Sequence, residues 1–290
     1  MDQTAALFGK TALITGVSRR KGIGFAVARR LAELGADVFI QHFSPHDAGQ
    51  PWGADDLAEV RSGIVSAQRE GSAFGDLSLD LADPDAVDAV VTAARALTGR
   101  LDILICNHAR SGSDGSVFDM TPELLDGHWE VNTRSTLLLT RAFAEQFSAH
   151  SASAPLRPGE RSAPPGPVDE FATGRVIWMT SGQVHGSMRG EVAYATSKAA
   201  LAGVTPTVAS ELLPWGIVLN TVNPGPVDTG YLDPETTDRP LEEIERAVRE
   251  TPFGRFGRPT DPARLIGWLA TDEGRWVVGQ VLTSDGGFAL

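Results

Sequence analysis

The chain has a single cysteine, Cys106, so no disulfide can form within it, and the composition suits a reducing compartment. Positive charge is also scarce: 25 Lys and Arg stand against 37 Asp and Glu, a formal net charge of -12. That balance argues against nucleic acid or an anionic membrane as the main partner, because both are held by clustered bases. Long apolar runs are missing too. The start, MDQTAALFGK, contains none, and the next apolar stretch, Thr11 to Thr15, is only strand-sized. Neither a signal peptide nor a membrane span is expected, which places the protein in the cytoplasm; no metal site is expected. What remains is 290 residues of ordinary apolar content, enough for a sizeable core, with nothing that forces a second domain.

Lys10 to Thr15 reads as a short strand ending at Gly16. It is followed by Val-Ser-Arg-Arg-Lys-Gly22-Ile-Gly24 and then by a helical pattern with Ile23, Val27, Leu31 and Leu34 on one face, closed by Gly35. Strand, glycine-rich turn and helix in this order bring backbone N–H groups and the positive end of a helix against a pyrophosphate; the alternative is an ordinary tight turn. Asp37 to His42 reads as the second strand. The strand ends Gln41-His42-Phe43-Ser44, with no carboxylate at that point to hold a ribose 2′-hydroxyl, so NADP(H) is preferred over NAD(H), mainly through Lys21 with Arg19, Arg20 and Ser44 as helpers. Residues 44–56 read as a loop in which Trp52 anchors the chain to the body of the protein. Asp80-Leu81 ends a third strand, where Asp80 either accepts from an adenine amino group or opens the next turn. A fourth strand runs from Leu101 to Cys106.

Thr121-Pro122-Glu123 starts a helix that the pattern extends past Asn132 to about Phe147. Residues 148–173, rich in Ser, Ala and Pro and without periodicity, read as a mobile surface insertion. A buried strand, Val176 to Met179, leads to Ser181. Thirteen residues on comes Tyr194, and Lys198 is four beyond it, so on a helix the ammonium lies one turn from the phenol. A neighbouring cation favours the phenolate, which makes Tyr194 a candidate general acid/base. The alternative is a half-buried tyrosine beside a solvated lysine. Pro206 should kink this helix. A sixth strand ends near Asn223, residues 229–257 suit a substrate lid, a helix starts at Thr260, and a seventh strand precedes Asp285-Gly286-Gly287. Alternation of strand and helix implies one α/β, doubly wound parallel sheet with helices on both faces.

Thr15-Gly16, Gly22-Ile-Gly24, Asp80, Asn107-His108-Ala109, Asn132, Ser181, Tyr194-x-x-x-Lys198, Pro224-Gly225 and Asp285-Gly286-Gly287 occur in an order and spacing that resemble the short-chain dehydrogenases/reductases over nearly the whole chain, closest to the 3-oxoacyl-[acyl-carrier-protein] reductase type. The resemblance implies a seven-stranded Rossmann fold and a catalytic tetrad of Asn132, Ser181, Tyr194 and Lys198. It implies cofactor contacts from Gly16, Ser18, Arg19, Lys21, Gly22, Ile23, Gly24, Ser44, Asp80, Leu81, Asn107, Ala109, Tyr194, Lys198, Pro224, Gly225, Val227 and Thr229. It also implies a homotetramer or homodimer built through the helices carrying Asn132 and Tyr194. In the implied reaction a hydride passes between nicotinamide and a carbonyl carbon. Ser181 holds the carbonyl oxygen, Tyr194 gives the proton, Lys198 lowers the phenol pKa and binds the ribose, and Asn132 holds a water. Two departures stand out: the glycine turn is two residues longer than the usual TGxxxGxG, and Asn107-His108-Ala109-Arg110 replaces Asn-Asn-Ala-Gly. His108 and Arg110 either reach substrate or bond to backbone as loop residues. An enoyl reductase, whose Tyr and Lys lie seven apart in related families, and a non-catalytic NADP(H)-sensing protein are the competing readings.

Overall fold

Successive side chains of a strand face opposite ways, and the central strands of this chain carry apolar residues in both directions. In the structure, a computed structural model, residues 5–147, 159, 174–233, 235–236 and 241–290 are described. One parallel sheet runs β3-β2-β1-β4-β5-β6-β7, made of β1 (Thr11–Ile14), β2 (Asp37–His42), β3 (Phe74–Ser78), β4 (Ile103–Cys106), β5 (Gly174–Met179), β6 (Ile217–Asn223) and β7 (Val281–Thr283). The helices are α1 (Ile23–Glu33), α2 (Ser44–Ala48), α3 (Leu57–Val65), α4 (Pro84–Ala96), α5 (Pro122–His128), α6 (Ser135–Glu145), α7 (Val192–Leu212), α8 (Leu241–Glu250) and α9 (Thr260–Ala270).

Alternation along the strands divides the core in two. Ala12, Ile14, Ile103, Ile105, Ile177 and Met179 pack with α1, α3 and α9, whereas Leu13, Leu104, Cys106, Val176 and Trp178 pack with α4, α6 and α7. Each large side chain so buried contributes about 1.5–3 kcal/mol. Trp178, fully buried, keeps its indole N–H paired by donating to Thr140 Oγ1 at 2.9 Å. The connection order reverses between β1 and β4, and it is outside the carboxyl ends of strands at such a reversal that α/β sheets open a crevice.

Helix starts follow local chemistry. Asp56, Asp83 and Thr121 cap α3, α4 and α5 by accepting from backbone N–H groups, and Gly35, just beyond α1, takes φ +95°. Two expectations are corrected. Residues 44–48 form the short helix α2 instead of loop, because Pro45 in its first turn is already set for helical φ. The helix after Thr121 is interrupted by a π-helical segment, Trp129–Arg134, which separates α5 from α6. Pro206, expected to kink its helix, falls inside α7, which runs on to Leu212; the missing N–H removes one bond of the ladder without ending it. The insertion expected at 148–173 lies, residue 159 apart, outside the described residues. Among the described residues no helix is long and apolar enough to cross a membrane.

Candidate active site

The glycine-rich loop is held tight by contacts that only glycine permits. Gly16 has φ +71°, and a Cβ there would lie 2.6 Å from His108 Cα; at Gly24 a Cβ would lie 2.6 Å from Asn107 Nδ2. Asn107 Nδ2 donates to the carbonyls of Thr15 and Gly16, each at 3.1 Å, tying the loop to the end of β4. Above the loop, α1 has Gly22 as its N-cap with no side-chain cap and no acidic residue in its first turn. Its N–H groups and positive end therefore remain open to the cleft, which suits a pyrophosphate. Gly16→Ala is expected to destabilise the protein by about 1–3 kcal/mol, from left-handed strain and the His108 clash; urea unfolding checks this.

The cleft has a volume of about 820 Å³. Of the residues proposed from sequence, Gly16, Ser18, Arg19, Gly22, Ile23, Asp80, Leu81, Asn107, Ala109, Ser181, Tyr194, Lys198, Pro224, Gly225, Val227 and Thr229 line it. Gly24, Lys21, Ser44 and Asn132 do not. Gly24 acts through close packing. Ser44 opens α2, with its hydroxyl buried and no hydrogen-bond partner among the described residues.

The basic loop residues need correction, because each has already found a carboxylate. Arg19 Nε lies 3.1 Å from Asp47 Oδ1 and its Nη1 donates to the Thr229 carbonyl at 2.7 Å. Arg20 reaches Glu59 at 2.9 Å. Lys21, expected to be the main ligand of a 2′-phosphate, instead lies 3.0 Å from Asp228 and 2.6 Å from Asp233. Those carboxylates come from segments distant in sequence that fold next to the loop. Trp52 packs 5.4 Å from the Arg19 guanidinium and edge-on to Tyr231, as the expected anchor of its loop would, and it also lines the cleft.

At the other end of the cleft, Ser181 follows β5 and hydrogen-bonds to the Tyr194 phenol. Lys198 Nζ lies 5.9 Å from the Tyr194 ring centroid and donates to the Met179 carbonyl at 3.0 Å. The three groups expected to share one space do so. The expected electrostatics are revised, however. Tyr194 is half-buried as a residue, yet the protein packed around its hydroxyl pushes the phenol pKa up by desolvation, with the Ser181 hydrogen bond acting in the opposite direction. Burial lowers the Lys198 ammonium from 10.5 to about 8.

Asn132 is fully buried in the π-helical segment. Its Oδ1 accepts from Arg110 N at 2.7 Å, and Nδ2 donates to the Arg110 carbonyl at 3.1 Å and to Ser197 Oγ at 2.9 Å. Both amide hydrogens are thus spent on protein, and solvent exposure, the other reading of this residue, does not apply. His108 is likewise a buried structural residue, with Nδ1 2.6 Å from Thr15 Oγ1 and Nε2 2.6 Å from Ser135 Oγ. Burial and the Lys198 charge hold its pKa at about 3, so the ring is neutral. His46, Asp47 and Tyr231 also line the cleft and were not singled out from sequence. The one usable signal was Asp47, a carboxylate close after the end of β2. Among the described residues no cluster of side chains could hold a metal ion.

Comparison with known proteins places this geometry. The family model described as "Enoyl-(Acyl carrier protein) reductase" matches residues 16–155 and 164–289. The chain is 35% identical over 280 residues, 96% of each chain, to the uncharacterized oxidoreductase YjdA of Bacillus subtilis strain 168. The chain is a short-chain dehydrogenase/reductase. This short-chain dehydrogenase/reductase is also 32% identical to an NADPH-dependent aldehyde reductase-like protein of Arabidopsis thaliana, over 97% of this chain and 95% of the other. It superposes on a short-chain dehydrogenase from Burkholderia cenocepacia in complex with NADP, with TM-score 0.76, 31% identity and coverage of 98% and 100%. As a member of the family it is an oxidoreductase, and family members act on small molecules and are commonly oligomeric.

Proposed function

We propose that this protein is an NADP(H)-dependent reductase that converts a carbonyl, a ketone or a 3-oxoacyl thioester, to a secondary alcohol. The observation that carries the reading is the meeting of Tyr194, Ser181 and Lys198 in one cleft with the open N-terminus of α1. The cofactor supplies the hydride. Ser181 holds the carbonyl oxygen, and Tyr194 donates its proton as charge develops there. Lys198 keeps a positive charge beside that proton transfer and bonds the nicotinamide-side ribose. Asn132 fixes the Arg110 backbone and Ser197 beneath the site, a role its bonds support better than that of a water holder. NADP is favoured over NAD by the NADP complex and the NADPH-dependent relative. Of the loop bases only Arg19 stands in the cleft wall, where a 2′-phosphate would compete with Asp47 for its guanidinium.

The chain works as one domain in which the lid expected at about residues 229–257 begins with Thr229 and Tyr231 in the cleft wall; residues 234 and 237–240 of that stretch lie outside the described residues. The ion pairs of Lys21 with Asp228 and Asp233 tie the start of that lid to the phosphate loop. These groups are partly exposed, so the tie is worth about 0.2–1 kcal/mol. Lys21→Ala should accordingly speed NADPH release about two- to fivefold in stopped-flow fluorescence. Assembly as a homodimer or homotetramer through the helices carrying Asn132 and Tyr194 is supported by the exposed apolar Phe118, Leu125 and Trp129 beside α5.

The family model's description favours a second reading, reduction of a C=C bond. The four-residue spacing of Tyr194 and Lys198, which sets the ammonium 5.9 Å from the ring, supports the carbonyl reading instead. NADPH oxidation measured with a panel of ketones, β-ketoacyl thioesters and enoyl thioesters separates them. Consumption with ketones or β-ketoacyl thioesters is expected. Consumption with enoyl thioesters alone would replace the proposal, and NADPH binding without consumption would leave a sensor.

A further inference from the structure

The geometry points to Asp114 as the residue that positions Tyr194, an inference that rests on the reductase reading for its catalytic consequence. Helix α7 starts at Val192, and its N-cap residue, Glu191, makes no side-chain cap hydrogen bond. The first N–H groups of a helix have no partner within it, so those of Val192, Ala193 and Tyr194 must be met from elsewhere. They are met from the loop after β4. Asp114 Oδ2 accepts from Tyr194 N at 2.7 Å, Asp114 Oδ1 accepts from Ala193 N at 3.0 Å, and the neighbouring Gly115 carbonyl accepts from Val192 N at 3.2 Å. Oδ1 also accepts from Gly115 N at 2.7 Å, which fixes the carboxylate's own orientation. A carboxylate some eighty positions upstream thus caps the helix that carries the proposed proton donor, and it does so through that donor's own backbone.

The carboxylate is set in a rigid mount. Its side chain is 6% exposed, and His128, fully buried at the end of α5, brings Nε2 to 4.0 Å from Asp114 Oδ2. His128 Nδ1 donates to the Leu124 carbonyl at 3.0 Å, while Nε2 has no hydrogen-bond partner among the described residues, so the ring turns its free nitrogen toward the carboxylate. At the other end of the same loop, Arg110 is gripped at both N–H and carbonyl by Asn132, whose Nδ2 also reaches Ser197 on α7. Loop 110–115 therefore joins the π-helical segment to two successive turns of α7. Charge-assisted bonds to backbone N–H groups are roughly twice as strong as neutral ones, and a carboxylate also opposes the positive end of the helix. Removing it frees the first turn of α7 to shift, and with it the phenol relative to Ser181 and Lys198. A displacement of about 1 Å at a reacting group can cost about 10²-fold in rate.

The test uses the full-length protein as parent, Asp114→Ala and Asp114→Asn. Three quantities are read well below the unfolding temperature: kcat and KM with NADPH and an accepted carbonyl, the NADPH dissociation constant, and hydrogen exchange at the Ala193 and Tyr194 amides. Asp114→Ala is expected to lower kcat about 10- to 100-fold, to leave NADPH affinity within about twofold, and to remove exchange protection at both amides. Asp114→Asn keeps a single acceptor oxygen and should fall between the two. Because it is isosteric, it carries the comparison if the alanine variant does not fold. A merely structural residue would lower the unfolding temperature and leave kcat intact; that result, or unchanged protection at Ala193 and Tyr194, overturns the assignment. If the parent itself reduces no carbonyl, the reductase reading fails, and the exchange measurement still decides whether Asp114 holds the helix.

Discussion

Tyr194→Phe is expected to lower carbonyl reduction by about 10²–10⁴-fold, the usual worth of a positioned general acid, while NADPH affinity stays within about twofold. The variant keeps the ring and its packing and deletes the hydroxyl that Ser181 meets. Burial raises the phenol pKa in this structure, and for reduction that is no obstacle. The donor must be protonated before the reaction, and the alkoxide that forms as hydride arrives is a far stronger base than a phenolate. Turnover by stopped-flow and NADPH binding by fluorescence give the comparison. Turnover at the parent rate would show that another group supplies the proton.

The second large effect concerns Lys198. Its ammonium titrates at about 8, so the cation beside Tyr194 is present below that pH and is lost above it. Reductive kcat should accordingly fall as pH rises through about 8. Lys198→Met should remove that limb of the profile and reduce turnover at pH 7 by about 10²-fold or more. Stability should move the other way. A lysine whose pKa drops from 10.5 to about 8 on folding binds fewer protons in the folded than in the unfolded state between those values. Its burial therefore weakens the fold at neutral pH, and the penalty is relieved as pH rises from about 8 toward 10.5. Lys198→Met discards the buried charge, and its unfolding midpoint at pH 7 should lie above that of the parent. A variant both less stable and fully active would contradict the argument on each side.

Much of the fold was legible because local pattern and tertiary role coincide. The run Asp37 to His42 forms β2 with the limits its β character suggests, Thr121-Pro122 opens α5, and Gly35 closes α1 in a left-handed conformation. Tyr194 and Lys198 were legible as a pair because a four-residue spacing on a helix needs no knowledge of the rest of the chain. Partnerships made across the sequence were not legible. Nothing local marks Lys21 as belonging to Asp228 and Asp233, or Arg19 as belonging to Asp47, so both bases looked free for a phosphate. The π-helical turn at Trp129–Arg134 carries no composition of its own. Asp114 was passed over for the same reason: a carboxylate in a loop declares itself a cap only when the helix it serves has been folded against it.

The lengthened turn after β1 has a consequence for how a dinucleotide arrives. Arg19, Arg20 and Lys21 are each matched by acidic groups already in place, so little unbalanced charge is left to draw a polyanion in from a distance. Capture should depend on contacts made after arrival, and the association rate should change little with ionic strength. The three bases work instead as fasteners between the segment after β2 and the segment after β6, and shortening the turn would unhook both at once.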